Sequence, residues 1–121
     1  MGNLVMTVDD SASMRDMICF TLRNAGYEVA EATDGRDALQ KLPATPAKLL
    51  ITDLNMPNVD GLELIKQVRQ MPAFRYLPIL MLTTESQDAK KLAAKAAGAS
   101  GWIVKPFRAE QLVAVVKRFL P

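Results

Sequence analysis

Short apolar runs alternate with longer amphipathic segments along this chain. Four of the runs are too short for helices and show no clear alternation: Leu4–Val8, Leu49–Thr52, Ile79–Thr83 and Trp102–Val104. Such runs are typical of strands that are buried on both faces of a sheet. A fifth run, Tyr27–Ala32, carries Glu28 and Glu31, which suits an edge strand better than a central one. The pattern therefore predicts a sheet of five strands.

The amphipathic segments between these runs predict helices. In the first segment apolar side chains recur at three-to-four spacing, at Met14, Met17, Ile18, Leu22 and Ala25. Gly26 follows this helix as a candidate C-terminal cap. Similar patterns predict helices at Gly35–Leu42, Leu62–Met71, Ala89–Ala97 and Ala109–Phe119. Strict alternation of buried strands and helices predicts a doubly wound α/β fold, a parallel sheet with helices on both faces.

Length and composition narrow the class of protein. The 121 residues suit one domain spanning 1–121. The net charge of +2 comes from 15 basic and 13 acidic residues scattered along the chain, which favours neither nucleic acid nor a membrane, so we expect a monomer with protein partners. Cys19 has no second cysteine to pair with, and the chain contains no His, which removes the usual zinc ligand sets and favours a reducing cytoplasm.

Chemically active side chains follow the predicted strands. Asp9 and Asp10 follow the first strand, Asp53 ends the third, Thr83 ends the fourth and Lys105 follows the last. The carboxyl ends of parallel strands meet at one edge of the sheet, where ligands of such folds bind. Three neighbouring carboxylates need a proton, a cationic side chain or a metal to offset their repulsion. With oxygen ligands only, Mg²⁺ is favoured, and Mn²⁺ could substitute for it.

A nucleophilic carboxylate, a shielding metal, a lysine and a hydroxyl are the components of phosphoryl transfer. They stand here in the motifs Asp9-Asp10, Asp53-Leu54-Asn55-Met56-Pro57 with Gly61, Thr83, and Lys105-Pro106-Phe107. In these motifs, and over essentially its whole length, the chain resembles the response-regulator receiver family. Within that family, Thr83-Thr84-Glu85 and Asn55 resemble the stand-alone chemotaxis regulators of the CheY type.

The resemblance implies a flavodoxin-like, CheY-like sheet with the strand order 2-1-3-4-5 and a phosphoryl group received from a histidine kinase. Asp53 would be the nucleophile that accepts the phosphoryl group. Asp10 would bind Mg²⁺ directly, Asp9 would help through water, and Asn55 would offer its backbone carbonyl. Because the chain has no His, the phosphoryl donor would have to be another protein.

The resemblance also implies a switch. Lys105 would pair with a carboxylate at rest and with the phosphoryl group afterwards, aimed by a cis Lys105–Pro106 bond. Thr83 would donate its hydroxyl to a phosphoryl oxygen, and its movement would leave space for the ring of Trp102.

A surface built from the fourth helix, the last strand and the last helix would then carry the output. This target face includes Lys90, Lys91, Lys95, Trp102, Lys117 and Arg118. Its mildly basic character suits an acidic segment of a downstream protein. Asn55 and Glu85 would flank the solvent side of the phosphoryl group, and we hypothesise that they set its rate of hydrolysis.

Four alternatives stay open at this point. A haloacid-dehalogenase-like aspartyl phosphatase also forms an aspartyl phosphate, but it uses a second acid where this chain has Asn55, so we expect no multiple-turnover chemistry on alkyl phosphates. The chain could also be a docking module that is never phosphorylated, a phosphate-sink receiver, or the receiver piece of a longer regulator.

Overall fold

The computed structural model describes residues 3–84 and 88–121. Its sheet has five parallel strands in the order β2-β1-β3-β4-β5, as expected. The strands are β1 (Leu4–Val8), β2 (Glu28–Ala32), β3 (Leu49–Asp53), β4 (Ile79–Thr84) and β5 (Gly101–Lys105). The predicted edge position of β2 is confirmed, and β3 lies at the centre of the sheet, buried at every residue.

Five α-helices connect the strands: α1 (Ala12–Asn24), α2 (Gly35–Lys41), α3 (Gly61–Gln70), α4 (Asp88–Ala97) and α5 (Ala109–Phe119). Short 3₁₀ turns at Leu42–Ala44 and Pro72–Phe74 follow α2 and α3. A proline in or next to each turn explains why both helices end one residue before the apolar pattern predicted, because proline disfavours helical continuation. In the part of the chain that the model describes, no helix is long and apolar enough to cross a membrane.

The two faces of the sheet carry separate halves of the core. Alternate strand residues such as Met6 and Leu50 pack with α2 and α3 on one face. Their neighbours, such as Val5 and Ile51, pack with α1 and α5 on the other face. This period-two division fixes the register of the sheet, since a slip by one residue would exchange the two sets.

The ends of α1 place the loop that follows β1. The Ser11 hydroxyl caps the helix, because it accepts a hydrogen bond from Met14 N at 3.3 Å. At the other end Gly26 has φ 97°, and Tyr27 N donates to Leu22 O at 3.0 Å. This left-handed cap uses the N–H of Tyr27, which explains why β2 begins at Glu28 and not at the predicted Tyr27.

Candidate functional site

Three carboxylates meet at the carboxyl ends of β1 and β3. Each of Asp9, Asp10 and Asp53 offers an oxygen, and these oxygens all lie within 4.8 Å of one another. Asp9 is 1% exposed and Asp53 is 8% exposed, whereas Asp10 is exposed. The three acids therefore meet at one edge of the sheet, as the sequence predicted, with two of them buried and one at the solvent side.

Lys105 neutralises the buried carboxylate of Asp53. Its Nζ lies 2.8 Å from Asp53 Oδ1, and the same oxygen accepts a hydrogen bond from Leu54 N at 2.9 Å. Both donors approach Oδ1, so they fix the orientation of the carboxylate. The chain reaches this geometry because β3 and β5, which flank β4, end at the same edge of the sheet.

Asp9 carries the electrostatic strain of the cluster. Its Oδ1 accepts from Ser11 N at 2.9 Å, but within the described residues its buried Oδ2 has no hydrogen-bond partner. Burial raises the pKa of the Asp9 carboxyl, and the nearby charge of Asp53 acts in the same direction. A buried, unpartnered carboxylate oxygen beside two further carboxylates fits a hard divalent cation, which prefers oxygen ligands.

Thr83 and Trp102 lie on the neighbouring strands. Thr83 is the next-to-last residue of β4 and is 1% exposed, and its hydroxyl donates to Thr84 O at 2.9 Å. Trp102 lies opposite Met81 in the register of β4 and β5. Trp102 is 37% exposed to solvent. The peptide bond between Lys105 and Pro106 is cis. In this state the hydroxyl of Thr83 is engaged with backbone and the indole stands partly in solvent.

Gly61 fits closely against the backbone of the site. Its N–H donates to Leu54 O at 2.9 Å, and a Cβ on it would lie 2.5 Å from Asp53 O. The loop before it contains Asn58 with φ 67°, a left-handed conformation that asparagine tolerates better than most residues. The glycine of the motif is thus a steric requirement of the loop that carries Asp53 into α3.

The remaining predicted residues have separate outcomes. Asn55 is exposed in the loop after β3, two residues beyond Asp53 of the acidic cluster. Glu85, to which we assigned a role in hydrolysis, lies outside the described residues.

The sequence reasoning missed the contacts that hold the loop after β1. Arg15 Nη1 donates to Asp9 O at 2.7 Å, and the Ser11 amide binds the Asp9 side chain. Arg15 lies in the first turn of α1, and basic residues are common at such positions, so the sequence gives no signal for this contact. Ser11 also caps α1 through its hydroxyl, and that position places its amide beside the Asp9 carboxylate.

The fold and the site define a response-regulator receiver. The model of the response regulator receiver domain family matches residues 5–117, and the chain belongs to this family. Receivers are signalling proteins and not enzymes in the ordinary sense.

The relatives and solved structures most similar to this chain include chemotaxis proteins. It is 46% identical over 110 residues to the chemotaxis protein CheY1 of Helicobacter pylori, covering 89% of each chain. It is 39% identical over 109 residues to the chemotaxis protein CheY of Pseudomonas aeruginosa, covering 89% of this chain and 88% of that one. The solved structure of CheY4 of Vibrio cholerae matches with a TM-score of 0.93 and 46% identity, covering 98% of this chain and 99% of that chain. The chain is therefore a CheY-like receiver.

Proposed function

We propose that this protein is a stand-alone response regulator of a chemotaxis pathway, switched by phosphorylation of Asp53. The observation that carries the proposal is the pairing of Asp53 with Lys105 at 2.8 Å beside two further carboxylates. The similarity to chemotaxis proteins of comparable length supports the pathway.

Asp53 acts as the nucleophile in the proposed reaction. A carboxylate oxygen attacks the phosphorus of a phosphohistidine on a partner kinase, and an O–P bond replaces the P–N bond. The electron pair of the broken bond stays on the histidine nitrogen. Lys105 and the Leu54 amide hold Asp53 Oδ1, so the carboxylate is oriented before the donor arrives.

Mg²⁺, or Mn²⁺ in its place, would be held by four groups: the carboxylates of Asp9, Asp10 and Asp53 and the backbone carbonyl of Asn55. Two observations support this assignment: Asp9 Oδ2 has no hydrogen-bond partner among residues 3–84 and 88–121, and Asp10 is exposed. When bound, the ion supplies positive charge to the phosphoryl oxygens during transfer. Lys105 supplies a second positive charge from the carboxyl end of β5. The Thr83 hydroxyl supplies a hydrogen-bond donor once it leaves Thr84 O.

The output of the switch is the target face named above, on α4, β5 and α5. Trp102 is its aromatic reporter, partly exposed at rest, and Thr83 pairs with Val104 only two residues further along β5. Movement of Thr83 towards the phosphoryl group would alter the space next to β5 and hence the packing of the indole. A downstream protein with an acidic segment would then distinguish the two states.

Phosphorylation is tested with acetyl phosphate and Mg²⁺, followed by intact-protein mass and Trp102 emission. We expect a gain of one phosphoryl mass and a change of emission in the native protein, and neither in Asp53→Asn. Absence of the mass gain in the native protein, with Mg²⁺ present, would refute the proposed function. A mass gain without an emission change would refute the Trp102 coupling alone.

A phosphatase of the haloacid-dehalogenase type is the alternative that the same experiment addresses. Asn55 offers no general acid for an alkyl leaving group, whereas an acyl phosphate needs less help. We therefore expect no release of phosphate from an alkyl phosphate during prolonged incubation. Steady turnover of such an ester would favour the enzyme over the switch.

A further inference from the structure

The outer edge of β2 is one of the two open edges of the sheet. Glu28 N donates to Asn3 O at 3.1 Å and Ala32 O accepts from Asp9 N at 3.2 Å. Because alternate residues of a strand in a parallel pair face the same partner, residues 28, 30 and 32 bond to β1. The backbone N–H and C=O groups of Val29 and Glu31 therefore point away from the sheet.

Cationic side chains occupy both outward carbonyls. Arg23, in the last turn of α1, donates from Nη2 to Val29 O at 3.3 Å. Lys41, the last residue of α2, donates from Nζ to Glu31 O at 2.8 Å. The two helices lie on opposite faces of the sheet, so the edge is covered from both sides.

A neighbouring cluster anchors the Lys41 ammonium. Its Nζ also lies 3.0 Å from Asp37 Oδ2, and that oxygen accepts from Thr33 N at 2.9 Å. The cation is thus held between a carboxylate fixed to the loop after β2 and the strand carbonyl itself. An incoming strand would have to displace a paired charge before its own N–H could reach Glu31 O.

The occupant that this edge fits is the β2 strand of a second copy. The outward residues 29 and 31 are symmetric about Ala30, so an antiparallel twofold pairing puts Val29 of each copy opposite Glu31 of the other. In that register no glutamate of one copy lies opposite a glutamate of the other. The non-hydrogen-bonded pair at the centre joins Ala30 of one copy to Ala30 of the other. The strand alone does not forbid self-pairing, and an open edge of this kind is a template for association.

We infer that Arg23 and Lys41 close the outer edge of β2 and thereby prevent two copies from joining their sheets through this strand. Under this inference, partner proteins bind at surfaces other than the outer edge of β2. The cover depends on two side-chain donors and not on the hydrophobic core, so it can be removed without dismantling the fold.

The test compares two double variants that lose the same charges. Arg23→Ala with Lys41→Ala uncovers the edge, whereas Arg36→Ala with Lys66→Ala removes one arginine and one lysine from exposed positions on α2 and α3. Sedimentation velocity over a concentration series measures self-association, and far-UV circular dichroism with a urea titration checks folding. Should the uncovered double variant be poorly folded, Lys41→Ala alone opens one carbonyl and should show a smaller effect.

We expect the uncovered variant to dimerise with a dissociation constant roughly tenfold or more below that of the control. Adding Val29→Pro should abolish the gain, because it removes an outward N–H while the bonds of residues 28, 30 and 32 to β1 stay intact. Self-association no stronger than that of the control would overturn the inference. A dimer that survives Val29→Pro would overturn it as well, since its contact would lie elsewhere.

Discussion

Replacing Gly61 with alanine tests how closely the phosphorylation loop is packed. The added Cβ would lie 2.5 Å from Asp53 O, 2.9 Å from Leu54 Cα and 3.0 Å from Met81 Sδ. The first of these distances is about 0.9 Å shorter than the 3.4 Å at which ordinary contact begins. Two of the three atoms belong to the backbone and cannot rotate away.

Hydrogen bonds hold both sides of this contact. Asp53 O accepts from Thr52 Oγ1 at 2.9 Å, and Gly61 N donates to Leu54 O at 2.9 Å. Relief of the clash must therefore lengthen a bond or move Asp53. Overpacking of this kind destabilises proteins by about 1–3 kcal/mol. Helix propensity alone gives the opposite sign, since alanine is favoured over glycine in helices by up to about 1 kcal/mol.

Urea unfolding of Gly61→Ala measures this balance, with Gly101→Ala as the matched control. A Cβ on Gly101 would meet its nearest atom, Leu80 Cδ2, at 3.4 Å, which is an ordinary contact. We expect the free energy of unfolding to fall by about 1–3 kcal/mol for Gly61→Ala and by clearly less for Gly101→Ala. Because the clash displaces Asp53, phosphorylation by acetyl phosphate should also slow in the first variant only.

A more stable Gly61→Ala protein would refute this reasoning, because propensity would then outweigh the clash. Unchanged stability with an unchanged phosphorylation rate would refute it too, since the loop would have absorbed the methyl group without moving Asp53.

Three further predictions concern residues outside the acidic cluster. Burial, reinforced by the charge of Glu31, raises the pKa of the Cys19 thiol to about 11, so alkylation by iodoacetamide at pH 8 should be about a hundredfold or more slower than in the denatured chain; comparable rates would contradict this. Burial opposes ionisation of Asp37, but hydrogen bonds from Thr33 and Lys41 outweigh it and lower its pKa. Asp37→Asn should therefore be less stable than the native protein above about pH 4, and the difference should shrink as the pH falls through the folded pKa; a difference in urea titrations that does not shrink with falling pH would point to another cause. Arg69 donates to Gly98 O, Phe74 O and Arg75 O, so Arg69→Lys should lower the free energy of unfolding by about 1–3 kcal/mol because lysine cannot span all three carbonyls; an unchanged urea midpoint would refute that role.

Much of the fold could be predicted because its strands are buried on both faces. The run Leu4–Val8 coincides with β1 to the residue, since both ends are marked by polar neighbours. The predicted starts of α2 and α5 are confirmed, but those of α3 and α4 fall one residue late, because the first apolar residue there is not the first helical one. Helix α3 begins at Gly61, capped by Asp60 Oδ1 at 2.9 Å from Glu63 N, whereas the apolar pattern starts only at Leu62.

The residue types of the site could be predicted, but their contacts could not. Topology alone places Asp9, Asp53 and Lys105 at one edge of the sheet. Which oxygen of Asp53 meets Lys105, and where the Thr83 hydroxyl points, depend on backbone atoms and side-chain rotamers that no periodicity encodes. The contact of Arg15 with Asp9 O likewise follows from the exact course of the loop before α1.

The acidic cluster is maintained by the rest of the fold at a cost in stability. Asp9 is buried with one oxygen unpartnered within the described residues, and Asp53 relies on the Lys105 ion pair. Isolated, such groups would favour protonation or exposure to water. They stay in place because Asp9 directly follows β1 and Asp53 is the last residue of β3, and the residues of both strands anchor the two halves of the core. A rigid sheet can therefore hold a cluster of carboxylates whose negative charge Lys105 offsets only in part. A cation that binds there supplies further positive charge and stabilises the folded protein. The remaining negative charge also makes the conformation of the site sensitive to phosphorylation. A new partner for Lys105 or Thr83 changes the electrostatic energy of the cluster, which the present ion pair of Lys105 offsets only in part.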